Sequence, residues 1–489
     1  MKSIGLDIGT TTICGILMDA SSSEMIKKIT LPNDTAIGGK ESFEKLQDTE
    51  RIEEKCMQVI ENLTESVDDL VSIGVTGQMH GILYTDQEGK AASPLMTWQD
   101  GRGNRPCRPE QTDVGVQPEQ PGKSYAELLS EQTGYRLATG FGTVTHYYNV
   151  KNNLVPKAAA TFCTIPDYIA MRLAGLQKPV LHAGMAASLG LFSMERGMFD
   201  QEAIEKSGMD RNFFPEVRRE EVSIGTWKNG VKVSPAFGDN QASFLGSVDD
   251  KSNILVNVGT GSQVSVLGKA LMTFENLECR PFMEGHYLYV GSPLCGGYSY
   301  ALLKNFFEEV NAMCGKETVS DIYEAMNEAG KKSREQGVRL LVDTRFCGSR
   351  RDPEIRGRIE NIAPENFKAG ALVCGVLEGI CQELLDLYRE YEVQVKEAGT
   401  ENAEDTAQKA VEALEICDND MTEEKYLCIT GSGNGIRKNP LLQEIFCEKF
   451  GKEMKIPLYA EEASYGSALF SLYASGYYKS LKELQQMIK

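Results

Sequence analysis

A glycine- and threonine-rich turn between two apolar runs occurs twice in the sequence. The first copy spans residues 4–17 and centres on Gly9-Thr10-Thr11-Thr12, and the second spans residues 254–267 and centres on Gly259-Thr260-Gly261-Ser262. Each copy predicts a β-hairpin whose tip offers backbone N–H groups and hydroxyls, which together can wrap a phosphate group. Either copy alone could be an ordinary hairpin, but two ungapped copies favour two phosphate-binding tips.

The two copies differ at one position that matters for charge. Asp7 precedes the first turn, whereas Asn257 precedes the second. A carboxylate is tolerated beside bound phosphates when a cation lies between them, and Mg²⁺ prefers one or two carboxylates together with phosphate oxygens and water. We therefore predict Asp7 as the metal-side residue. The predicted phosphate-binding residues are Thr10, Thr11, Thr12, Gly259 and Thr260.

Polar side chains follow a short apolar run at residues 71–75, which predicts a strand. Gln78, Met79 and His80 come directly after it. Ligands of open α/β sheets collect at the carboxyl ends of strands, so these residues are predicted to contact substrate hydroxyls. A structural role for a lone histidine is the alternative.

A second polar group combines Trp98, Asp100 and Arg102 within five residues. Sugars commonly stack a C–H face on an aromatic ring while paired polar groups bind their hydroxyls, so this stretch predicts a sugar wall. The alternative is a tryptophan in the core beside a surface Asp–Arg pair of small energetic value. The turn at residues 139–143 is a weaker candidate for the same site.

Asp239 lies between a predicted strand and a small-residue helix, as an N-cap or just before the helix. A plain cap would stabilise the helix by about 1 kcal/mol. The functional alternative is a general base, which the helix N-terminus keeps ionised and able to accept a hydroxyl proton.

Further on, Gly431-Ser432-Gly433-Asn434 follows an apolar strand, and its backbone can lie flat against a planar ligand such as adenosine. A bare strand–helix turn is the alternative there.

Length and composition restrict the class of protein. The 489 residues exceed one ordinary core, so we expect two domains, residues 1–244 and 245–489. The net charge of −19 disfavours nucleic acid and anionic membranes as partners. Thirteen cysteines without zinc spacing and the lack of a signal peptide predict a cytoplasmic protein. A homodimer is left open.

The periodicity of apolar residues predicts the elements that must carry these motifs. The expected strands are 25–31 and 338–344, and the expected helices are 52–63, 165–174, 366–395, 440–450 and a helix within 460–475. Two polar stretches, residues 105–122 and 398–424, are predicted as exposed excursions.

Taken together, the motifs resemble the FGGY family of carbohydrate kinases over nearly the whole chain. The resemblance implies an α/β protein with two ribonuclease-H-like domains of the actin, Hsp70 and hexokinase type, and an ATP and sugar cleft. Four stretches carry it in family order: Asp7-Ile8-Gly9-Thr10-Thr11, Gly238-Asp239-Asn240, Gly259-Thr260-Gly261-Ser262 and Gly431-Ser432-Gly433-Asn434. The last departs from the commoner triple-glycine form.

The resemblance also implies the reaction. ATP with Mg²⁺ would phosphorylate a terminal primary hydroxyl of a ketose, with Asp239 as both substrate ligand and base. The elements around Gln78 and Trp98 look most like those of kinases of the seven-carbon ketose sedoheptulose, and kinases of xylulose or ribulose share similar elements. Two rivals of other classes are a non-catalytic sugar sensor on the same fold and a protein-binding ATPase.

Overall fold

The structure is a computed structural model that describes residues 1–107, 122–315, 321–349, 352, 354–401 and 428–488. Residues 108–121 and 402–424 of the two predicted excursions lie outside these ranges, as do Tyr426 and Leu427. The chain divides into two compact units. The first unit is Met1–Gly246, Arg280–Gly285 and Glu461–Lys489, and the second is Ser247–Cys279 and His286–Ala460.

Sixteen strands belong to the N-terminal part of the first unit, within the residues that the structure describes. They are β1 (Lys2–Ile8), β2 (Thr12–Asp19), β3 (Met25–Pro32), β4 (Ala36–Ile37), β5 (Leu46–Gln47), β6 (Leu70–Gly77), β7 (Leu83–Thr85), β8 (Leu95–Met96), β9 (Thr161–Cys163), β10 (Val180–His182), β11 (Phe192–Ser193), β12 (Met198–Phe199), β13 (Glu216–Arg218), β14 (Gly225–Trp227), β15 (Val231–Val233) and β16 (Phe237–Gly238).

The helices of this part follow the predicted apolar spacing. In α1, Asp48 accepts a hydrogen bond from the backbone of Arg51 at 3.1 Å, and Ile52, Cys56 and Leu63 are buried on one face. The helices are α1 (Thr49–Thr64), α2 (Tyr125–Thr133), α3 (Gly142–Lys151), α4 (Ile165–Leu173), α5 (Ala183–Leu189), α6 (Gln201–Ser207) and α7 (Asp239–Ser247).

The main sheet of the first unit has the order β14-β15-β6-β1-β2-β3, and β16 also pairs with β6. Strands β1, β2 and β3 are antiparallel, whereas β6 runs parallel to β1, and β15 and β16 run parallel to β6. The parallel strands therefore end at the same edge of the sheet, where a ligand site is expected.

Between residues 247 and 460 the chain builds a second sheet and its helices. The strands are β17 (Ile254–Val258), β18 (Ser262–Gly268), β19 (Glu278–Pro281), β20 (Tyr287–Gly291), β21 (Leu341–Asp343), β22 (Arg358–Glu360), β23 (Ile429–Ser432) and β24 (Met454–Lys455). The helices are α8 (Gly297–Met313), α9 (Ile322–Glu335), α10 (Ala369–Glu401), α11 (Asn434–Arg437) and α12 (Pro440–Phe450).

The second sheet repeats the plan of the first. Its order is β19-β20-β18-β17-β23-β24, with β17, β18 and β20 antiparallel, β23 parallel to β17, and β24 parallel to β23. The sequence β20-β18-β17-β23-β24 thus matches β3-β2-β1-β6-β15 in order and direction. The turns differ by one residue, because Ile8 pairs with Ile13 whereas Val258 pairs with Ser262. The two copies are therefore gapless in sequence but not in strand register.

The chain returns to the first unit at its C-terminal end, with α13 (Glu462–Ala474) and α14 (Leu481–Gln485). Helix α13 packs on β1 and β6 at two glycines. A Cβ atom on Gly5 would lie 1.8 Å from the carbonyl oxygen of Ser464, and one on Gly74 would lie 1.9 Å from that of Ser467. No side chain larger than hydrogen fits between this helix and the sheet at these two positions.

Buried hydroxyls complete the contact between α13 and the sheet. The Oγ atoms of Ser3, Ser72 and Ser471 lie 2.9–3.0 Å from one another and form a closed triangle of hydrogen bonds. All three serines are fully buried. Each hydroxyl can donate one hydrogen bond and accept another, so the triangle satisfies groups that would otherwise be costly to bury.

Most predicted elements are present with small shifts at their ends. The predicted strands 25–31, 71–75 and 338–344 are observed as Met25–Pro32, Leu70–Gly77 and Leu341–Asp343, and the predicted helix 440–450 has its predicted ends. The long helix begins at Ala369 and reaches Glu401, six residues beyond the predicted end at Val395. Among the described residues, no helix combines the length and apolar character that crossing a membrane requires.

The close contact between α13 and β6 leads to a test of stability. Gly74→Ala places a methyl group against the backbone of α13, and overpacking of this kind costs about 1–3 kcal/mol. We expect a clear fall in the midpoint of thermal unfolding, measured by circular dichroism.

Gly38→Ala is the matched control. Gly38 is exposed, and a Cβ atom there would meet nothing within 4 Å. This variant should unfold at the wild-type temperature, and equal stability of both variants would contradict the proposed tight contact.

Candidate functional site

Three neighbouring parallel strands of the first unit end together at the predicted catalytic groups. Gly77 of β6 pairs with Ile8 of β1 on one side and with Gly238 of β16 on the other. Asp7 is therefore the penultimate residue of β1, Gln78 follows β6, and Asp239 follows β16. The fold brings the predicted metal-side residue, a predicted sugar ligand and the predicted base to one edge of one sheet.

The Asp7 carboxylate is affected both by burial and by the charge of Asp239. Removal of Asp7 from water is the main cause that raises its pKa, and the negative charge of Asp239 adds to it, so that the pKa reaches about 7. The Asp239 carboxylate accepts hydrogen bonds from Asn240, at 2.6 Å from the backbone nitrogen and 2.5 Å from Nδ2. Helix α7 begins at Asp239 itself, so this residue is the first of the helix rather than a cap before it.

Protein donors occupy the carbonyl oxygens of the first turn. The Gly9 N–H donates to the Thr12 carbonyl at 2.9 Å. Asn33 donates through Nδ2 to the Gly9 carbonyl and through its backbone to the Thr11 carbonyl, both at 2.8 Å. Gln47 Nε2 donates to the Thr10 carbonyl at 3.0 Å. With these acceptors satisfied by the protein, the partly exposed tip presents mainly N–H groups and hydroxyls, which suits an anion.

Trp98 is joined to this turn by a hydrogen bond. Its ring nitrogen donates to Thr10 Oγ1 at 3.0 Å, and Trp98 remains 46% exposed. The alternative of a core tryptophan is therefore wrong. Since the indole N–H can only donate, the Thr10 hydroxyl accepts this bond and keeps its own proton for another acceptor.

Asp100 and Arg102 form an internal pair, which differs from the direct sugar contact predicted for them. The Arg102 guanidinium donates to both carboxylate oxygens at 2.7 and 3.1 Å, and to Asn149 Oδ1 at 2.6 Å. The Lys45 backbone donates to Asp100 at 3.0 Å. Both side chains are buried, so the alternative of a surface pair is wrong too. The pair fixes the loop that carries Trp98.

His80 has a fixed ring orientation and an unusual backbone. Its φ of 71° lies in the left-handed region, which is uncommon for residues other than glycine. Nδ1 lies 2.6 Å from the Ser188 carbonyl oxygen, so this nitrogen carries the proton, and the ring stacks on Phe141 at 5.0 Å. Gln78 and Met79 beside it are buried.

The turn at residues 139–143 supports the same group of residues. Gly140 has a φ of 87°, and a Cβ atom there would lie 2.1 Å from the Trp98 carbonyl oxygen. Thr139 Oγ1 donates to the Asp100 carbonyl at 3.1 Å. The weak sequence signal at this turn therefore pointed to residues that position Trp98 and His80.

In the second unit, the second hairpin and the glycine-rich turn after β23 are adjacent. Asn257 Nδ2 donates to Ser432 Oγ at 2.6 Å, and their Cα atoms pair between β17 and β23. A Cβ atom on Gly433 would lie 2.6 Å from the Val258 carbonyl oxygen, so the close approach requires glycine. Gly259, Thr260 and the 431–434 turn therefore lie at one edge of this unit's sheet, as one nucleotide would require.

Sequence reasoning missed two residues that shape the first turn. Asn33 and Gln47 lie outside every motif, and neither spacing nor composition marks them. Asn33 lies beside the turn because the preceding Pro32 of β3 pairs with Thr12 of β2. Gln47 reaches the turn because the chain after β3 folds back through the short strands β4 and β5. Only the tertiary structure reveals them.

The sequence matches one protein family in both halves. Residues 3–252 match the N-terminal domain of the FGGY family of carbohydrate kinases, and residues 254–475 match its C-terminal domain. The chain belongs to the FGGY family. It is therefore a carbohydrate kinase, a phosphotransferase, as its sequence predicted.

Curated relatives include kinases of different sugars and polyols. Sedoheptulokinase of Mus musculus is 24% identical over 410 residues, covering 78% of this chain and 84% of that protein. Sedoheptulokinase of Homo sapiens is 24% identical over 427 residues with the same coverage. A glycerol kinase of Pseudomonas fluorescens is 21% identical over 335 residues, covering 66% of this chain and 59% of that protein.

Solved structures show the same fold. A xylulose kinase from Rhodospirillum rubrum superposes with a TM-score of 0.78 at 17% identity, covering 100% of this chain and 93% of that one. A Plasmodium falciparum glycerol kinase with ADP gives 0.72 at 16% identity with the same coverage. The predicted fold class, that of actin and hexokinase, is confirmed.

The raised pKa of Asp7 predicts how stability depends on pH in protein free of metal and nucleotide. The folded state binds the Asp7 proton more tightly than the unfolded chain, whose aspartate titrates near 3.8. The free energy of unfolding should therefore fall as the pH rises from about 4 to about 7. Asp7→Asn should reduce this fall, and Asp239→Asn should reduce it in part, as measured by denaturant unfolding at pH 5 and pH 8 in EDTA.

Asp69→Asn provides a control of opposite sign. Lys2 donates to Asp69 at 2.8 Å and lowers the pKa of Asp69 to about 2. The contribution of ionised Asp69 to the free energy of unfolding is therefore lost only as the pH falls toward that value. This variant should keep the wild-type difference between pH 5 and pH 8. If Asp7→Asn also kept it, the assigned titration would be wrong.

Proposed function

We propose that this kinase transfers the γ-phosphoryl group of ATP to a terminal primary hydroxyl of a ketose. The observation that supports this most is the meeting of Asp7, Gln78 and Asp239 at the ends of three adjacent parallel strands, beside a turn with satisfied carbonyls. A phosphate turn, a carboxylate for a metal, a sugar ligand and a base are the parts that phosphoryl transfer to an alcohol needs.

The base in this proposal is Asp239. At the first residue of α7, its carboxylate lies at the N-terminus of the helix and accepts a hydrogen bond from the backbone N–H of Asn240. It accepts the proton of the attacking hydroxyl as the new P–O bond forms and the bond to ADP breaks. Orientation of the hydroxyl and neutralisation of charge supply most of the rate enhancement.

Each hairpin tip is assigned as a phosphate-binding turn. In the first, the Thr10 hydroxyl donates its remaining proton, with Thr11 and Thr12 in the same turn. In the second, Gly259 and Thr260 form the tip, and residues 431–434 hold the adenosine. The Plasmodium falciparum glycerol kinase, whose structure is one with ADP, supports a nucleotide on this fold.

The residues around Asp7 fit Mg²⁺. Burial raises the pKa of Asp7 and the charge of Asp239 adds to that rise, so a divalent cation beside Asp7 would stabilise its ionised form. Asp7 would hold the ion through water. When bound, Mg²⁺ supplies positive charge to the phosphate oxygens.

The proposed acceptor is sedoheptulose, giving sedoheptulose 7-phosphate, because the two sedoheptulokinases match most of the chain. Trp98 presents an exposed ring for the sugar, and Gln78, Met79 and His80 line the adjoining strand end. Asp100 and Arg102 act through Trp98, whose loop they fix. Xylulose or ribulose remains the alternative acceptor, and an intact Asp239 argues against a non-catalytic sensor.

A coupled ADP-release assay over sedoheptulose, xylulose, ribulose and their alditols tests this function. We expect the highest kcat/KM with sedoheptulose. Asp239→Asn should lower kcat by roughly 10²- to 10⁴-fold, the usual contribution of a general base.

Two outcomes would refute parts of the proposal. Near wild-type kcat in Asp239→Asn would remove this residue from its role, provided that circular dichroism shows a folded variant. ADP release that no free sugar stimulates would point to the sensor or ATPase class.

The role of Asp7 predicts a change in the use of magnesium. Asp7→Ala should raise the Mg²⁺ concentration needed for half-maximal rate at fixed ATP, because one carboxylate that favours the cation is lost. The measurement is initial rate against free Mg²⁺.

Asn257→Ala is the comparison at the equivalent position of the second unit. It removes the bond to Ser432 and no charge, so it should raise the KM for ATP without changing the Mg²⁺ requirement. An unchanged Mg²⁺ requirement in Asp7→Ala would count against the metal role.

The division into domains at residues 244 and 245, the cytoplasmic location and the homodimer remain predictions.

A further inference from the structure

Two side-chain amides connect Gln78, a predicted sugar ligand, to the first phosphate turn within the first unit. Gln78 Nε2 donates to Gln47 Oε1 at 2.8 Å, and Gln47 Nε2 donates to the Thr10 carbonyl at 3.0 Å. Gln47 is 4% exposed and Gln78 is 5% exposed. Neither bond has water as a ready competitor, so both are held firmly.

The Thr10 carbonyl fixes the donor and the acceptor of both hydrogen bonds. A backbone carbonyl only accepts, so Gln47 must turn its NH₂ group toward Thr10 and its oxygen toward Gln78. Gln78 must then turn its own NH₂ group toward Gln47. Its Oε1 is buried without a hydrogen-bond partner among the residues that the structure describes.

An unsatisfied buried acceptor favours a ligand that donates. Burying such a group without a partner is costly, and a hydroxyl of the substrate would remove that cost. Because Gln78 Oε1 is buried, a hydroxyl reaches it only when the amide of Gln78 shifts. That shift acts on Gln47, whose other end holds the Thr10 carbonyl.

A second connection ends at the same residue. Trp98, the exposed ring of the sugar wall, donates to Thr10 Oγ1 at 3.0 Å. Thr10 therefore receives one bond at its carbonyl and one at its hydroxyl, both from groups on the sugar side. Its remaining hydroxyl proton is the one assigned to a phosphate oxygen.

We propose that Gln47 is a positioning residue that couples occupation of the sugar site to the geometry of the phosphate turn. A bound ketose whose hydroxyl donates to Gln78 tightens the Gln78–Gln47–Thr10 chain and orders the turn for ATP. Sugar and nucleotide then bind cooperatively, which limits transfer to water when sugar is absent. This inference rests on the proposed kinase function of the same site.

The matched control is Asn33, which supports the same turn without touching the sugar wall. Asn33 Nδ2 donates to the Gly9 carbonyl at 2.8 Å, and Asn33 Oδ1 accepts from Thr35 at 2.7 Å. Loss of Asn33 should weaken the turn whether or not sugar is bound. Loss of Gln47 should instead remove the dependence on sugar.

The test measures the affinity of the non-hydrolysable ATP analogue AMPPNP with Mg²⁺ by calorimetry, with and without saturating sedoheptulose and, in a parallel arm, xylulose. In the wild type we expect sugar to tighten AMPPNP binding by roughly 5- to 150-fold, the usual range for coupled sites. In Gln47→Met the ratio should fall toward 1 while each ligand still binds. In Asn33→Leu, AMPPNP should bind more weakly both with and without sugar, and the ratio of the two affinities should stay at the wild-type value.

Three results would overturn the coupling role: no sugar dependence in the wild type, a wild-type ratio in Gln47→Met, or an equal loss of the ratio in Asn33→Leu. Gln78→Met breaks the chain at its other end and must reproduce the loss, which keeps the test decisive if Gln47→Met does not fold. Failure of the kinase function is seen separately, as absence of sugar-dependent ADP release in the wild type.

Discussion

The arrangement of the first unit depends on the contact between helix α13 and the glycines of its sheet. The helix lies so close to β1 and β6 that the carbonyls of Ser464 and Ser467 occupy the space where side chains of Gly5 and Gly74 would be. Helix α13 packs equally closely on α7, where Gly466 of α13 and Gly246 of α7 leave room for the backbone of the other helix. One helix therefore fixes the strands that carry Asp7 and Gln78 and the helix that begins with Asp239.

Aromatic packing extends this contact to the strand end that precedes Asp239. Phe470 of α13 stacks on Phe237 of β16 with centroids 4.1 Å apart, and His182 meets both rings edge-on. Phe237 lies two residues before Asp239. Burial lowers the pKa of His182 to about 4, so this histidine is a neutral packing residue near neutral pH. The proposed base thus lies next to a tightly packed apolar cluster, which suits a group that must hold its position for in-line transfer.

Sequence patterns predicted the parts whose chemistry is local. The Gly-Thr turns, the strand before Gln78 and the strand–helix junction near Asp239 follow from glycine, hydroxyl and apolar spacing, which act over a few residues. Asp100 and Arg102 show the limit, because two charged residues near a tryptophan look alike whether they face a sugar or each other. Their burial depends on Asn149 and Lys45, which are distant in sequence.

The same limit applies to Gln47 and to the C-terminal helix. No local rule marks a glutamine that bridges Gln78 and Thr10, since its role depends on how β5 lies against the turn. Likewise, the sequence predicted a helix within residues 460–475, but not that this helix would pack on β1, whose residues lie far away in the sequence. The one-residue difference between the two hairpin turns also appears only in strand register.

The return of the chain to its starting unit has a consequence for synthesis on the ribosome. Ser3 bonds to Ser471 across 468 residues, so the sheet that carries Asp7 waits for the synthesis of that many residues before its covering helix arrives. A prematurely released chain would leave that sheet uncovered, with apolar surface available to chaperones and proteases. Synthesis of helix α13 and assembly of the strand edge that carries Asp7 are thereby linked.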